Sequence, residues 1–120
     1  MLHSPGTVGW IDLTVGQADQ VRDFYRQVVG WGVSEVEVED HVDYSMTADG
    51  VDVAGVCWRR GVNANVPAGW IPYFVVTDLE ASLRAVREGG GEIVQVRQEQ
   101  SNGIAMIKDP SGAVCALWAG

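Results

Sequence analysis

Two similar stretches decide the fold of this chain: GWIDLTV at residues 9–15 and GWIPYFVV at residues 69–76. Both are rich in β-branched and aromatic residues, which favour a pleated strand over a helix. Their starts lie about sixty residues apart, and self-similarity at such a period indicates that one supersecondary unit occurs twice. The sequence therefore predicts two modules with the same order of secondary-structure elements.

A helical pattern follows each stretch. In the first half, apolar residues recur at spacings of three and four: Val21, Phe24, Tyr25 and Val28. In the second half, the corresponding stripe is Leu79, Leu83 and Val86. Such spacing predicts amphipathic helices whose stripes pack on a sheet. Gly30 is expected to end the first helix, and Thr77 or Asp78 to cap the start of the second.

Three further strand patterns follow each helix, so the predicted order in each half is β-α-β-β-β. Module 1 covers about residues 7–58 and module 2 about residues 69–118. Residues 59–68, rich in Gly, Asn and Pro, form the predicted linker. The chain of 120 residues is expected to be one domain, residues 1–120, of the α+β class.

The charge balance argues against several partners. Sixteen acidic residues against eight basic ones give a net charge of −8, which would repel nucleic acid and an anionic membrane surface. The chain start lacks a signal-peptide pattern, and no apolar run approaches the ~20 residues of a membrane span. Cys57 and Cys115 lie in apolar strand patterns and are expected to be buried, reduced thiols of a cytoplasmic protein.

Several segments in order carry a family resemblance: IDLTV, DFYRQVVGWG, DG with VAGV, VVTDLEASL and KDPSGAVCALW. Together they resemble the vicinal oxygen chelate superfamily, the group of glyoxalases, bleomycin resistance proteins and extradiol dioxygenases, over residues 8–118. The resemblance implies two βαβββ modules that form an open, cup-shaped mixed β-sheet with helices on the outer face. It also implies a homodimer.

Strand alternation predicts which side chains face the cup. Ile11, Leu13 and Val15 are uniformly apolar and are assigned to the helix side, which leaves the alternate residues for the cup. In module 2, the number of residues between Val76 and the helix places Tyr73 in the cup, whereas alignment of the repeated tripeptide GWI would place Trp70 there. We assign the strand register from the distance to the helix, which places Tyr73 in the cup. The candidate ligand-binding residues are Trp10, Asp12, Thr14, Tyr44, Trp58, Tyr73 and Trp118.

The resemblance also implies where a divalent metal would be held. At those positions this chain has side chains without donor atoms: Trp10, Ile71, Ala116 and residues 54–56. His3 and His41 are expected to be solvated surface residues, although Gln95 or Gln98 could contribute one ligand. We therefore expect no metal and no cofactor.

The leading hypothesis is a metal-free protein that binds a planar or cationic organic molecule in an aromatic-lined cup, as bleomycin resistance proteins do. The alternative is an enzyme of the same superfamily, of lyase, dioxygenase or isomerase type. It would use Asp12, Tyr44 or Tyr73 as acid or base, or an undetected metal site. Asp12 is the one named catalytic candidate, and the alternative is that it serves only a structural hydrogen bond. A second alternative is a structural dimer module with a filled cup.

Overall fold

The computed structural model describes residues 3–120, apart from the side chains of Val62 and Glu99. The first module comprises β1 (Val8–Val15), α1 (Ala18–Val29), β2 (Gly32–Val38), β3 (His41–Ala48) and β4 (Val51–Trp58). After a 3₁₀ turn at Gly61–Asn63, the second comprises β5 (Trp70–Val75), α2 (Leu79–Glu88), β6 (Glu92–Glu99), β7 (Asn102–Lys108) and β8 (Val114–Ala119). The predicted α+β class and the twofold βαβββ order are confirmed.

Contacts within the chain define two compact units. In residues 11–70 the strand order is β2-β3-β4-β1, with β1 parallel to β4 and the other pairs antiparallel. The second unit consists of residues 71–120 together with residues 3–10, and its strand order is β5-β8-β7-β6 with β5 parallel to β8. Two backbone hydrogen bonds attach the chain start, from Gly6 N–H to Val75 O (2.7 Å) and from Val75 N–H to Thr7 O (2.9 Å).

The core of residues 11–70 lies between α1 and one face of the strands. Its buried members are Ala18, Tyr44, Met46, Ala54 and Val56, and Val21 and Tyr25 of α1 pack against them. The helix ends at Gly30, whose φ of 84° is left-handed and whose N–H donates to Arg26 O at 3.0 Å. Glycine adopts this conformation without a Cβ clash, as the sequence predicted.

The predicted stripe of α1 is wrong at two of its four positions. Phe24 and Val28 are 57% and 62% exposed. The reason is the rotation of the helix about its axis, since Ala18, Val21 and Tyr25 occupy the side that meets the sheet. Spacings of three and four identify an amphipathic helix, but they do not set which edge of a wide stripe is buried.

The core of residues 71–120 agrees with its predicted stripe. Leu79 and Leu83 are buried against Ala105, Ile107 and Leu117, and Val86 packs at the edge of this cluster. Asp78 is the helix cap, because its carboxylate accepts the N–H of Ala81 at 3.2 Å. Val76 packs on the same cluster, which confirms the register derived from its spacing to the helix.

Arg59 fixes the start of the linker within residues 11–70. Its Nε donates to Val66 O at 3.0 Å and its Nη2 to Thr14 O at 3.1 Å. These bonds hold the linker against the end of β1. Across residues 3–120, neither helix has the length and apolar character needed to cross a lipid bilayer.

We predict that Met46→Ala lowers the free energy of unfolding by about 2–5 kcal/mol, because Met46 is fully buried and its truncation leaves a cavity. Val51→Ala is the control in the same hairpin, since Val51 is 63% exposed, and should change stability by less than about 0.5 kcal/mol. Urea unfolding followed by circular dichroism measures both. Equal effects of the two substitutions would contradict the assigned core.

Candidate functional site

One face of residues 11–70 carries a set of polar side chains. β1 pairs with β4 so that Asp12 lies opposite Gly55 and Thr14 opposite Cys57. Because side chains alternate, these residues point away from α1, whereas Val15 and Val56 point towards it. We call the set Asp12, Thr14, Asp43 and Cys57 the Asp12 face. Thr14 and Asp43 are its buried polar members, and Asp12 and Cys57 are partly exposed.

Asp43 connects the groups of this face. Its Oδ1 accepts the backbone N–H of Trp58 at 2.9 Å, and its carboxylate also accepts the thiol of Cys57. The two bonds join the start of β3 to the end of β4. A buried carboxylate needs such donors, because desolvation of an unpaired charge would cost several kcal/mol.

His41 lies beside Asp43, and the prediction that it is a solvated surface residue is wrong. Its side chain is 6% exposed, with Nε2 at 3.3 Å from Asp43 Oδ1 and Nδ1 at 3.4 Å from Asp40 Oδ1. The His41 contact and the nearby guanidinium of Arg60 hold the pKa of Asp40 below its usual range. Among the described atoms, none forms a well-oriented hydrogen bond with His41 Nε2.

The pKa of the Cys57 thiol is affected by the charges of the Asp12 face. Burial raises its pKa well above the usual value, and the negative charges of Asp12 and Asp43 raise it further. Cys57 is therefore a neutral thiol at physiological pH and a poor nucleophile, since the thiolate is the reactive form. The face combines two carboxylates with a protonated sulfur, so its potential is negative.

Tyr44 and Trp58 lie on the opposite side from Asp12, which corrects the expected inward orientation. Both pack in the apolar cluster with α1, and the guanidinium of Arg22 lies 4.6 Å from the centre of the Tyr44 ring. Tyr44 lies on the same face of β3 as the buried Met46, whereas Asp43 lies on the other face. Trp58 lies on the same face of β4 as Val56. A ligand-binding role for these two rings stays a prediction, and their packing weighs against it.

Tyr73 and Trp118 share a face of residues 71–120. Tyr73 lies opposite Ala116 and Val75 opposite Trp118, on the side away from the α2 core residue Leu117. Both rings are partly buried. The ring of His3 lies 5.3 Å from that of Trp118. A Cβ at Gly9 would come within 2.9 Å of the Trp118 ring, so only glycine permits this close approach.

The other residues named from sequence are placed as follows. Trp10 is partly buried and by alternation points to the opposite side of β1 from Gly9. Gln95 pairs with Met106 and Gln98 with Gly103. Gln98 also lines an open depression of about 520 Å³ whose other lining residues are Arg97, Asn102, Gly103, Ala119 and Gly120. The depression contains no predicted ligand contact other than Gln98.

Comparison with known proteins agrees with this architecture. Residues 7–117 match the family model described as Glyoxalase/Bleomycin resistance protein/Dioxygenase superfamily. The chain belongs to this superfamily. The match covers both βαβββ modules, so the resemblance inferred from the sequence is confirmed.

Two curated relatives match nearly the whole of this chain. CFP32 of Mycobacterium tuberculosis, whose name assigns it provisionally to the glyoxylases, is 30% identical over 97% of this chain and 46% of its own length. The anthracycline biosynthesis protein DauV of Streptomyces sp. strain C5 is 28% identical over 96% of this chain and 47% of its own length. The chain thus spans about half the length of these curated relatives.

Among solved structures, a Streptomyces coelicolor methylmalonyl-CoA epimerase variant in complex with 2-nitronate-propionyl-CoA superposes with a TM-score of 0.62. Its sequence is 19% identical to this chain, with 98% of this chain and 96% of that chain covered. At this identity the likeness establishes the fold, and the fold alone.

The residues of this chain do not fit the divalent metal that the superfamily implies. Ile71, Ala116 and Val56 are buried apolar side chains at the expected ligand positions. Within residues 3–120, no group of three or more His, Cys, Asp or Glu side chains among those described is arranged to hold a metal ion. Metal coordination requires such donors.

Sequence reasoning missed Asp43, Cys57 and His41 as a cluster. Asp43 was one acid in a short strand, and no motif links it to Cys57, fourteen residues later. The signal that could have found it is the alternation of HVDYSM, which places one acid and one histidine on the same face. That signal does not reveal burial.

We predict that Asp12→Asn accelerates iodoacetamide alkylation of Cys57 in a Cys115→Ser background. Removal of the Asp12 charge lowers the thiol pKa, and each unit of lowering raises the thiolate fraction about tenfold below the pKa. Glu35→Gln is the control, because Glu35 is an exposed acid on β2. Mass spectrometry across pH 7–9 follows the rate. An unchanged rate in Asp12→Asn would place Asp12 away from the thiol.

Proposed function

We propose that this chain binds a small organic cation at the Asp12 face without a metal ion. The observation that carries the proposal is the placement of two carboxylates, Asp12 and Asp43, on the same face of residues 11–70, beside the thiol of Cys57. Two negative charges on one face attract a cation, and the net charge of −8 strengthens the long-range field. Asp12 is the partly exposed member and makes the direct contact.

The part of the proposal that concerns a planar molecule rests on residues 71–120 alone. Tyr73 and Trp118 are partly buried rings on the face away from α2, where ring surfaces stack on flat molecules or contact cations. The named relatives also support small organic ligands: DauV is an anthracycline biosynthesis protein, and the superposed epimerase holds a CoA derivative. Trp10, Tyr73 and Trp118 remain predicted contacts.

Two coarser proposals accompany the binding function. Both cysteines are free thiols, and their pKa values are raised by burial, which suits a reducing compartment such as the cytoplasm. We also propose that residues 1–120 act as one functional domain, since the family match runs through both modules. Neither proposal depends on the identity of the ligand.

The binding function is tested by calorimetric titration with three probes: acridine orange as a planar cation, pyrenesulfonate as a planar anion, and propionyl-CoA. We expect only the cation to bind, with an affinity that falls as salt screens the field. Asp12→Asn should weaken its binding about 10- to 100-fold, the worth of a charge-assisted contact. Glu35→Gln, which removes an exposed acid of β2, should leave the affinity unchanged.

Two results would contradict the proposal. Tighter binding of propionyl-CoA than of acridine orange would show that the site accepts phosphates despite its acidic residues. Equal losses of affinity for acridine orange in Asp12→Asn and Glu35→Gln would show a diffuse effect of net charge rather than a site at Asp12.

An enzyme is the second candidate, because the relatives named above include a provisional glyoxylase and an epimerase. Asp12 would then move a proton at a carbon next to a carbonyl group. The distinguishing measurement is solvent deuterium incorporation into propionyl-CoA or into the hemithioacetal of glutathione and methylglyoxal. Incorporation lost in Asp12→Asn and retained in Glu35→Gln would favour catalysis over sequestration.

A further inference from the structure

His41 is a buried histidine that lies between two carboxylates. Its side chain is 6% exposed, with Nδ1 beside Asp40 and Nε2 beside Asp43. The distances from these nitrogens to the nearest carboxylate oxygens are 3.4 Å and 3.3 Å. Nε2 is removed from water, yet no atom in the described part of the chain gives it a well-oriented hydrogen bond. Buried polar atoms nearly always have such a partner, so this nitrogen calls for an explanation.

The protonation state of the ring provides that explanation. A neutral imidazole carries one N–H group, so it cannot donate to both acids. When Nδ1–H donates to Asp40, the lone pair of Nε2 faces the carboxylate of Asp43. The imidazolium form carries an N–H group on each nitrogen and can donate to both acids. His41 therefore has two states that differ in their interaction with Asp43.

Several other ionisable groups surround His41. They belong to the turn before β3, to β1, β3 and β4, and to the linker: Glu39, Asp40, Asp12, Asp43, Cys57, Arg59 and Arg60. From β2, the residue opposite His41 is the apolar Val38. Arginine keeps its charge at all these pH values, and carboxylates are ordinarily ionised above about pH 5. Burial keeps the thiol of Cys57 neutral by raising its pKa. Among these types of side chain, histidine is the one that ordinarily changes charge between about pH 5 and 8.

Asp43 connects His41 to the Asp12 face. Its Oδ1 lies 3.3 Å from the ring of His41 and accepts the backbone N–H of Trp58 at 2.9 Å. The same carboxylate acts on the thiol of Cys57 together with Asp12. An imidazolium at this distance offsets the negative charge of Asp43, and burial limits the screening of that interaction by salt. Protonation of His41 therefore makes the Asp12 face less negative.

We propose that His41 sets the charge of the Asp12 face: its neutral form leaves the charge of Asp43 in place, and its protonated form pairs with Asp43 and weakens the attraction for a cation. His41 acts through Asp43 and is a positioning residue. The consequence for a ligand rests on the binding function proposed above, whereas the coupling of His41 to Asp43 does not. Because binding and protonation are linked, a bound cation opposes the protonation of His41.

The coupling is measured in the ligand-free protein by NMR titration from pH 8 to 5.5. We expect the ring signals of His41 and the backbone amide signal of Trp58 to shift with one midpoint, because that amide is bonded to Asp43. The amide of Ala81, bonded to the carboxylate of Asp78 in α2, is the control and should not follow this midpoint. This measurement needs no substitution. A Trp58 signal that does not follow His41 would overturn the proposal.

Two histidine variants assign the effect to one ring. His41→Gln should abolish the shift of the Trp58 amide between pH 8 and 5.5, because glutamine stays neutral. His3→Gln is the matched control, since His3 is the other histidine of the chain, and it should retain the shift. A shift that persists in His41→Gln would contradict the proposed role of His41.

The consequence for the ligand is measured by calorimetric titration with acridine orange at pH 7.5 and 5.5, at one salt concentration. The affinity of the wild type should be at least about fivefold lower at pH 5.5, because an added positive charge beside Asp43 opposes a cation. His3→Gln should keep this difference and His41→Gln should lose it. Equal affinities of the wild type at the two pH values would overturn the proposal. Absence of binding at both would contradict the binding function instead, and the Trp58 titration would still decide whether His41 controls the charge of Asp43.

Discussion

The buried carboxylate of Asp43 is the interaction on which the polar side of residues 11–70 depends. A charge that is almost removed from water must be matched by donors, and the chain supplies them from β4: the N–H of Trp58 and the thiol of Cys57. These bonds fix the register at which the start of β3 pairs with the end of β4. They also decide the two faces of β3, because Asp43 on one side requires Tyr44 and Met46 on the other. The position of Cys57, opposite Thr14 and close to Asp12, follows from the same register.

The order of elements was predictable because its signals are local. Alternating β-branched residues, helical spacing and Gly or Asp-Gly turns lie within short windows of the chain. Leu79, Leu83 and Asp78 took their predicted positions because a helix cap and a narrow leucine stripe leave one orientation. Phe24 and Val28 are exposed although they were predicted to be buried. The apolar stripe of α1 is wider than the sheet surface that it contacts, so only one edge of the stripe is buried. That selection is made by residues distant in sequence.

The side chains of the candidate site were less predictable for a related reason. Asp12 and Tyr73 could be assigned to faces because each strand runs directly into a helix. No helix follows β3 or β4 within its module, so nothing local indicated where His41, Tyr44 and Trp58 point. His41 shows the consequence most clearly, since a position after a turn suggests solvent, yet Asp40 and Asp43 enclose it. Burial at strand ends is set by partners across the sheet.

The absence of donors at the superfamily's metal positions changes the electrostatics of the remaining acids. A divalent cation would neutralise nearby carboxylates and favour anionic ligand groups around itself. In this chain Ile71, Ala116 and Val56 offer no coordination there, and the charges of Asp12 and Asp43 act on their surroundings without that compensation. Burial is the largest cause of the raised pKa of the Cys57 thiol, and the charges of Asp12 and Asp43 raise that pKa further. In the binding function proposed above, the negative charges of Asp12 and Asp43 attract a cation and oppose a phosphate.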